Sequence, residues 1–232
     1  MKRFWKEAAA VREGDEWAVQ LDGKPLRTPA RHPLLVPSGT LAAAIAEEWK
    51  SAGEAVDPRQ MPLTGLANAA IDRVAPDPVA FTAGLSRYGE GDLLCYRAEG
   101  PSELVSRQSA RWDALLGWAR RRFDVDFATT SGIVHVPQPE ATVQRLSHAA
   151  ASLDAFRLAG LSPLVTIGGS LVIALAVLEG AVTPEQAWDA ITVDEQWQSE
   201  QWGADSEAEA TMAARRADFL VAARFLELLD EA

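Results

Sequence analysis

A single cysteine, Cys95, stands in 232 residues. The chain therefore cannot close an internal disulfide or build a thiolate zinc site, which fits a reducing compartment. Its neighbours in "DLLCYRA" are apolar, which predicts a buried thiol rather than a nucleophile. Histidine is almost as scarce. His32 lies beside a proline turn, His135 in an extended segment and His148 on a helix, none with the i, i+4 partner of a zinc helix. No metal and no cofactor is expected. "GEGD" (Gly89 to Asp92) and "TIGGS" lack both G-x-G-x-x-G and Gly-Lys-Ser/Thr, so no nucleotide site is written here. Long apolar runs are missing too. The stretch from Pro163 to Gly180 contains Gly168, Gly169 and Ser170 and falls short of the ~20 apolar residues of a bilayer span. It reads as a helix buried in a protein core.

Positive charge is in deficit, with 22 Lys and Arg against 33 Asp and Glu and a formal net charge of -11. That balance excludes nucleic acid, which needs a basic face, and an anionic membrane surface. The deficit is local. Residues 1–178 hold 20 acids and 19 bases, whereas residues 179–232 hold 13 acids and 3 bases. The one basic run, Arg120 to Arg122, sits where a helix C-terminus would favour it.

What is present divides the chain in two. "EWAVQLDGKPLRTP" alternates Trp17, Val19 and Leu21 before Asp22-Gly23, a tight-hairpin dipeptide. A second turn at "ARHP" leads to "LLVP", and Ser38 is placed to cap a helix that runs toward Gly53. In that helix Leu41, Ile45, Glu48 and Trp49 share a side, so Trp49 is expected to pack on the hairpins. From "LTGLANAAIDRV" onward, apolar residues recur three and four apart in segment after segment. A short extended piece is expected at Val134 and Val136. The fold class is α+β. Residues 1–60 read as a small N-terminal α+β domain with β-hairpins, and residues 61–232 as a mainly α-helical C-terminal domain.

One stretch resists a purely structural account. Thr183-Pro184-Glu185-Gln186 starts a helix with a capping box. Helical counting then puts Trp188, Ile191, Glu195, Gln198 and Trp202 on one stripe, with Trp197 exposed among Asp194 and Glu200 on another face. A carboxylate on an apolar stripe costs several kcal/mol unless it is paired or reached by water. Three readings follow: an internal salt bridge from Glu195 to Arg157 or Arg215, a general acid in a pocket lined by Trp188 and Trp202, or a surface on which tryptophans and acids await a basic partner.

Six blocks together give the chain a resemblance to a known family. They are "LDGKPLRTPA" (Leu21 to Ala30), "AIAEEW" (Ala44 to Trp49), "MPLTGLANAAIDRV" (Met61 to Val74), "DLLCYRA" (Asp92 to Ala98), "RWDALLGWA" (Arg111 to Ala119) and "DEQWQSEQWG" (Asp194 to Gly203). In this order they resemble the mitochondrial and α-proteobacterial assembly chaperones for the α subunit of the ATP synthase catalytic head. Gly91-Asp92 departs from the Thr-Asp expected there. The resemblance implies a non-enzymatic holdase that shields the free α subunit until the β subunit replaces it, without ATP turnover. It points to Asp194, Glu195, Trp197, Glu200 and Trp202 as partner-binding residues, and it gives Trp49 a role in the fold. No apolar segment follows "MKRFWKEA", so no secretory signal is expected. The mitochondrial relatives, which are in the matrix, begin with a targeting extension, and the direct start here suggests a bacterial cytoplasmic member. The free protein is expected to be a monomer. The competing class is a small cytosolic enzyme using Glu195 as a general acid. A permanent subunit of a larger complex would carry the same surface.

Overall fold

The computed structural model describes residues 2–203 and 205–231. It opens with strands β1 (Ala8–Glu13), β2 (Glu16–Leu21), β3 (Lys24–Pro25) and β4 (Leu35–Val36), followed by helices α1 (Gly39–Ser51) and α2 (Pro62–Ala69). Then come α3 (Pro78–Glu90), β5 (Tyr96–Arg97), α4 (Ser102–Phe123), β6 (Thr130–Ser131), α5 (Glu140–Ala151), α6 (Ala155–Gly168) and α7 (Leu171–Leu178). The chain closes with α8 (Pro184–Ile191), α9 (Val193–Trp202) and α10 (Ser206–Asp230). This is the α+β class, with a small sheet near the start and helices thereafter.

Two compact units are present. One joins the chain up to Pro78 with Asp154–Gly160 and the chain from Val221 on; the other joins Val79–Leu153 with Leu161–Leu220. The first unit therefore runs past the boundary placed at residue 60, for a physical reason. The Glu48 carboxylate of α1 accepts hydrogen bonds from Leu63 N (2.7 Å), Thr64 N (2.8 Å) and Thr64 Oγ1 (2.7 Å). It thereby satisfies donors that the first turn of α2 leaves orphaned, and its pKa is raised by burial against these same bonds.

In this unit β2 pairs antiparallel with β1 on one side and with β3 and β4 on the other. The turn between β2 and β3 holds Asp22 at φ 48 and Gly23 at φ 76, the positive pair that Asp-Gly was expected to supply. Ser38 caps α1, accepting from Leu41 N. The helix lays Leu41, Ala42, Ile45 and Ala46 on a core that includes Trp5, Val19, Leu21, Leu34, Val36, Phe225 and Leu228. Trp49 joins it half-buried, 5.0 Å from the Trp5 ring, and donates to Thr64 Oγ1. Two family blocks also meet here, since Asp72 accepts from Thr28 Oγ1 at 2.7 Å and Ala30 N at 2.9 Å, with His32 Nδ1 at 3.0 Å.

Gly160 is needed for close approach. A Cβ there would stand 2.6 Å from Leu226 Cδ2 and 3.0 Å from Phe225 Cδ1. Gly160→Ala should thus cost about 1–2 kcal/mol net despite the better helix former. A thermal melt several degrees lower is the expected readout, and an unchanged melt would show that Leu226 simply moves aside.

The second unit is built on α4 and α7. Trp112, Leu115, Leu116 and Ala119 of α4 and every residue of α7 from Leu171 to Ala176 are buried. The long apolar run is a core segment, as expected, but it is not one helix. It turns at Gly169 (φ 64), and Ser170 caps α7 by accepting from Ile173 N. Helix α5 ends at Ala151 and α6 begins at Ala155, and between them Asp154 accepts from Phe156 N and Arg157 N. The extended piece expected at Val134 and Val136 is absent. The strand is Thr130–Ser131, paired in parallel with Tyr96–Arg97, and Val134 is 72% exposed.

Candidate functional site

The Thr183 capping box forms as expected, with Gln186 N donating to Thr183 Oγ1 and Gln186 Oε1 accepting from Thr183 N. The helix it starts does not continue. Thr192 takes φ -102 and ψ 19, ending α8 and beginning α9, and its hydroxyl donates to Trp188 O at 2.9 Å. That one non-helical residue resets the 3.6 phase. As a result the stripe counted from Trp188 is wrong beyond Ile191. Trp197, expected outside, is 7% exposed, and Trp202, expected on the apolar face, is 78% exposed.

α9 lies along α4 in antiparallel fashion. Gln108 Nε2 donates to Asp194 Oδ1 at 2.7 Å, Trp112 Nε1 donates to Ala190 O at 2.7 Å, and Arg111 reaches Asp189 at 3.5 Å. Nearer the start of α4, Arg107 donates to Glu200 at 2.7 Å and to Glu103 at 3.1 Å. Its guanidinium also stands 4.8 Å over the Trp197 ring, a cation–π contact. The hydrogen bond to Glu200 raises the Arg107 pKa, so the arginine stays charged throughout any working pH. Trp197 is consequently a shelf covered by Arg107.

Glu195 sits 3.9 Å from Arg215, which also donates to Ile167 O. Of the two arginines considered, Arg215 is the partner, while Arg157 pairs with Asp154 and Asp230. The Glu195 side chain is 43% exposed. It is not enclosed by two tryptophans, which removes the premise for a desolvated general acid. Trp188 packs elsewhere, against Phe219 at 5.8 Å.

Past Trp202 the chain turns at Gly203 (φ 85). Asp205, Glu207 and Glu209 then form no ion pair among the described residues. An exposed indole beside solvated carboxylates is a chemistry that suits an apolar partner with a basic rim.

The other candidates are accounted for by packing. Cys95 is buried, and its thiol is pushed up to about 12 chiefly by burial, so no thiolate forms at neutral pH. His135 Nδ1 lies 2.9 Å from Tyr96 Oη. Among the described residues no three His, Cys, Asp or Glu are grouped to hold a metal, and no helix is long and apolar enough to cross a membrane. Sequence reading missed Arg107 and Gln108. Gln108 carried a signal, because it falls four residues before Trp112 on the buried face of α4.

The chain belongs to the ATP12 chaperone family, whose model matches residues 2–120. It is similar over 98% of its length to Atp12 from Paracoccus denitrificans, with 44% identity, a TM-score of 0.94 and 98% of that chain covered. A similar match, with 39% identity and a TM-score of 0.93, covers 98% of this chain and 86% of the Atu1473 protein from Agrobacterium tumefaciens. The mitochondrial protein atp12 of Schizosaccharomyces pombe is 27% identical in an alignment of 219 positions that covers 89% of this chain and 75% of that protein.

Proposed function

We propose that this protein is an ATP synthase assembly chaperone that binds the free α subunit and shields its assembly surface until the β subunit replaces it, without ATP turnover. Asp194, Glu195, Trp197, Glu200 and Trp202 form the binding region. The observation that carries the reading is Trp202, left 78% exposed at the end of α9. Trp is enriched at protein-binding hot spots, and flanking acids favour a partner with a basic rim. Trp202, Glu200 and Glu195 touch the client in this account, while Trp197 and Asp194 fix the helix on α4. The protein works as a monomer in the bacterial cytoplasm, in keeping with its one buried cysteine.

Size-exclusion co-elution with the organism's own α subunit, with the β subunit as control, tests this reading. The wild type should co-elute with α alone. Glu195→Lys should lose the complex by at least tenfold while staying folded, because it exchanges a long, half-exposed ion pair for a like-charge pair with Arg215 that water screens. Rising salt should weaken the wild-type complex. No complex with α at any salt would sink the proposal.

A further inference from the structure

Ile133 is 99% exposed and Val134 is 72% exposed. Two adjacent β-branched side chains in open water are unusual, and this pair is held in place on both sides. Gly132 takes φ 82, and its N donates to Arg97 O at 2.8 Å behind the β5–β6 pairing. On the far side, the His135 ring is 2.9 Å from Tyr96 Oη. The pair is a presented tip.

Its location follows from contacts within the second unit. Glu99, just before α4, packs on Gly132, where a Cβ would lie 3.0 Å from Glu99 Oε1. Ala98 N donates to Gln108 Oε1 at 2.8 Å. Because α4 and α9 run antiparallel, with Gln108 opposite Asp194 and Arg107 opposite Glu200, the start of α4 lies beside the end of α9. The Ile133–Val134 tip and Trp202 therefore stand at the same end of this unit. Carboxylates border them. Glu99 forms no ion pair among the described residues, and Glu103 and Glu200 share the single guanidinium of Arg107.

We propose that Ile133 and Val134 form, with Trp202, one docking end whose occupant is a client surface of apolar residues rimmed by Lys or Arg. The inference rests on the chaperone reading and adds a second anchor to its site. Apolar area that is solvated in the free protein becomes buried in the complex, and the surrounding acids select for the basic rim.

The test measures α-subunit affinity for the full-length double variant Ile133→Ser/Val134→Ser, beside Val79→Ser as a control on another exposed valine (79% exposed). An affinity loss of at least tenfold for the double variant, with an unchanged melting temperature and a normal control, is the expected result. Binding within twofold of wild type would overturn the second anchor and leave the chaperone reading standing. A wild type that binds no α subunit would overturn both. Should the double variant melt early, Ile133→Cys carrying a thiol-reactive fluorophore gives an independent readout, since buried Cys95 does not compete for the label. A blue shift on adding α supports contact; an unshifted spectrum in a formed complex overturns it.

Discussion

Asp92→Ala is expected to lower the free energy of unfolding by about 3 kcal/mol at neutral pH. The Asp92 carboxylate is fully buried and joins segments distant in sequence. One oxygen accepts from Leu94 N (3.1 Å) and Ser170 Oγ (2.7 Å), and the other accepts from Val172 N at 3.0 Å. A single side chain thus serves the first turn after Asp92 and the N-terminus of α7, where Ser170 provides the second cap. Alanine leaves these donors buried without an acceptor, and an unsatisfied buried donor costs about 1–3 kcal/mol. Losing the desolvation cost of the carboxylate offsets part of that. Asp92→Asn should also destabilise, though less, because its amide can present an acceptor to only one side and turns N–H toward N–H on the other.

The pH dependence distinguishes this account from simple loss of packing. Burial pushes the Asp92 pKa up to about 6 from 3.8, against the opposing pull of its hydrogen bonds. Between those values the folded protein keeps a proton that the unfolded chain has released. The stability contributed by Asp92 therefore falls as pH rises from about 3.8 through about 6 and is level above that. Urea denaturation should give a larger difference between wild type and Asp92→Ala near pH 5 than at pH 8. Equal differences would mean that the carboxylate titrates alike in both states.

These bonds explain how much of the fold was legible beforehand. Local signals worked where a single residue decides the geometry, as at Asp22-Gly23, Ser38 and the Thr183–Gln186 box. The apolar character of α7 placed it in the core without any structure. What remained hidden was the pairing of family blocks across the chain, such as Glu48 with Thr64 and Asp72 with Thr28. In a linear reading each is a polar residue near apolar ones, and nothing names its partner. The return of Phe225 and Leu228 to the first core is of the same kind. At the candidate site, the residue types were readable but their facing was not. Thr192 is an ordinary residue in a helical pattern, and only its ψ of 19 reveals that α9 begins afresh.

That break yields the sharpest functional contrast, between the two tryptophans of one block. Trp202→Ala should leave stability within about 0.5 kcal/mol of wild type, because the ring touches little and surface changes are usually this small. It should weaken α-subunit binding by roughly 2–3 kcal/mol, or about 30- to 150-fold, as a central aromatic anchor does. Trp197→Ala should do the reverse in its primary effect. The ring is 7% exposed and lies beneath Arg107, so its removal opens a cavity and should cost about 3–5 kcal/mol of stability. Arg107 and Glu200 then lose the surface that positions them, so binding by the folded fraction should also fall, but by less than for Trp202→Ala. Chemical denaturation and α-subunit titration on both variants separate the roles. If Trp202→Ala binds normally while Trp197→Ala, still folded, does not, the client docks on the face of α9 beside Arg107 and the exposed indole is not its anchor.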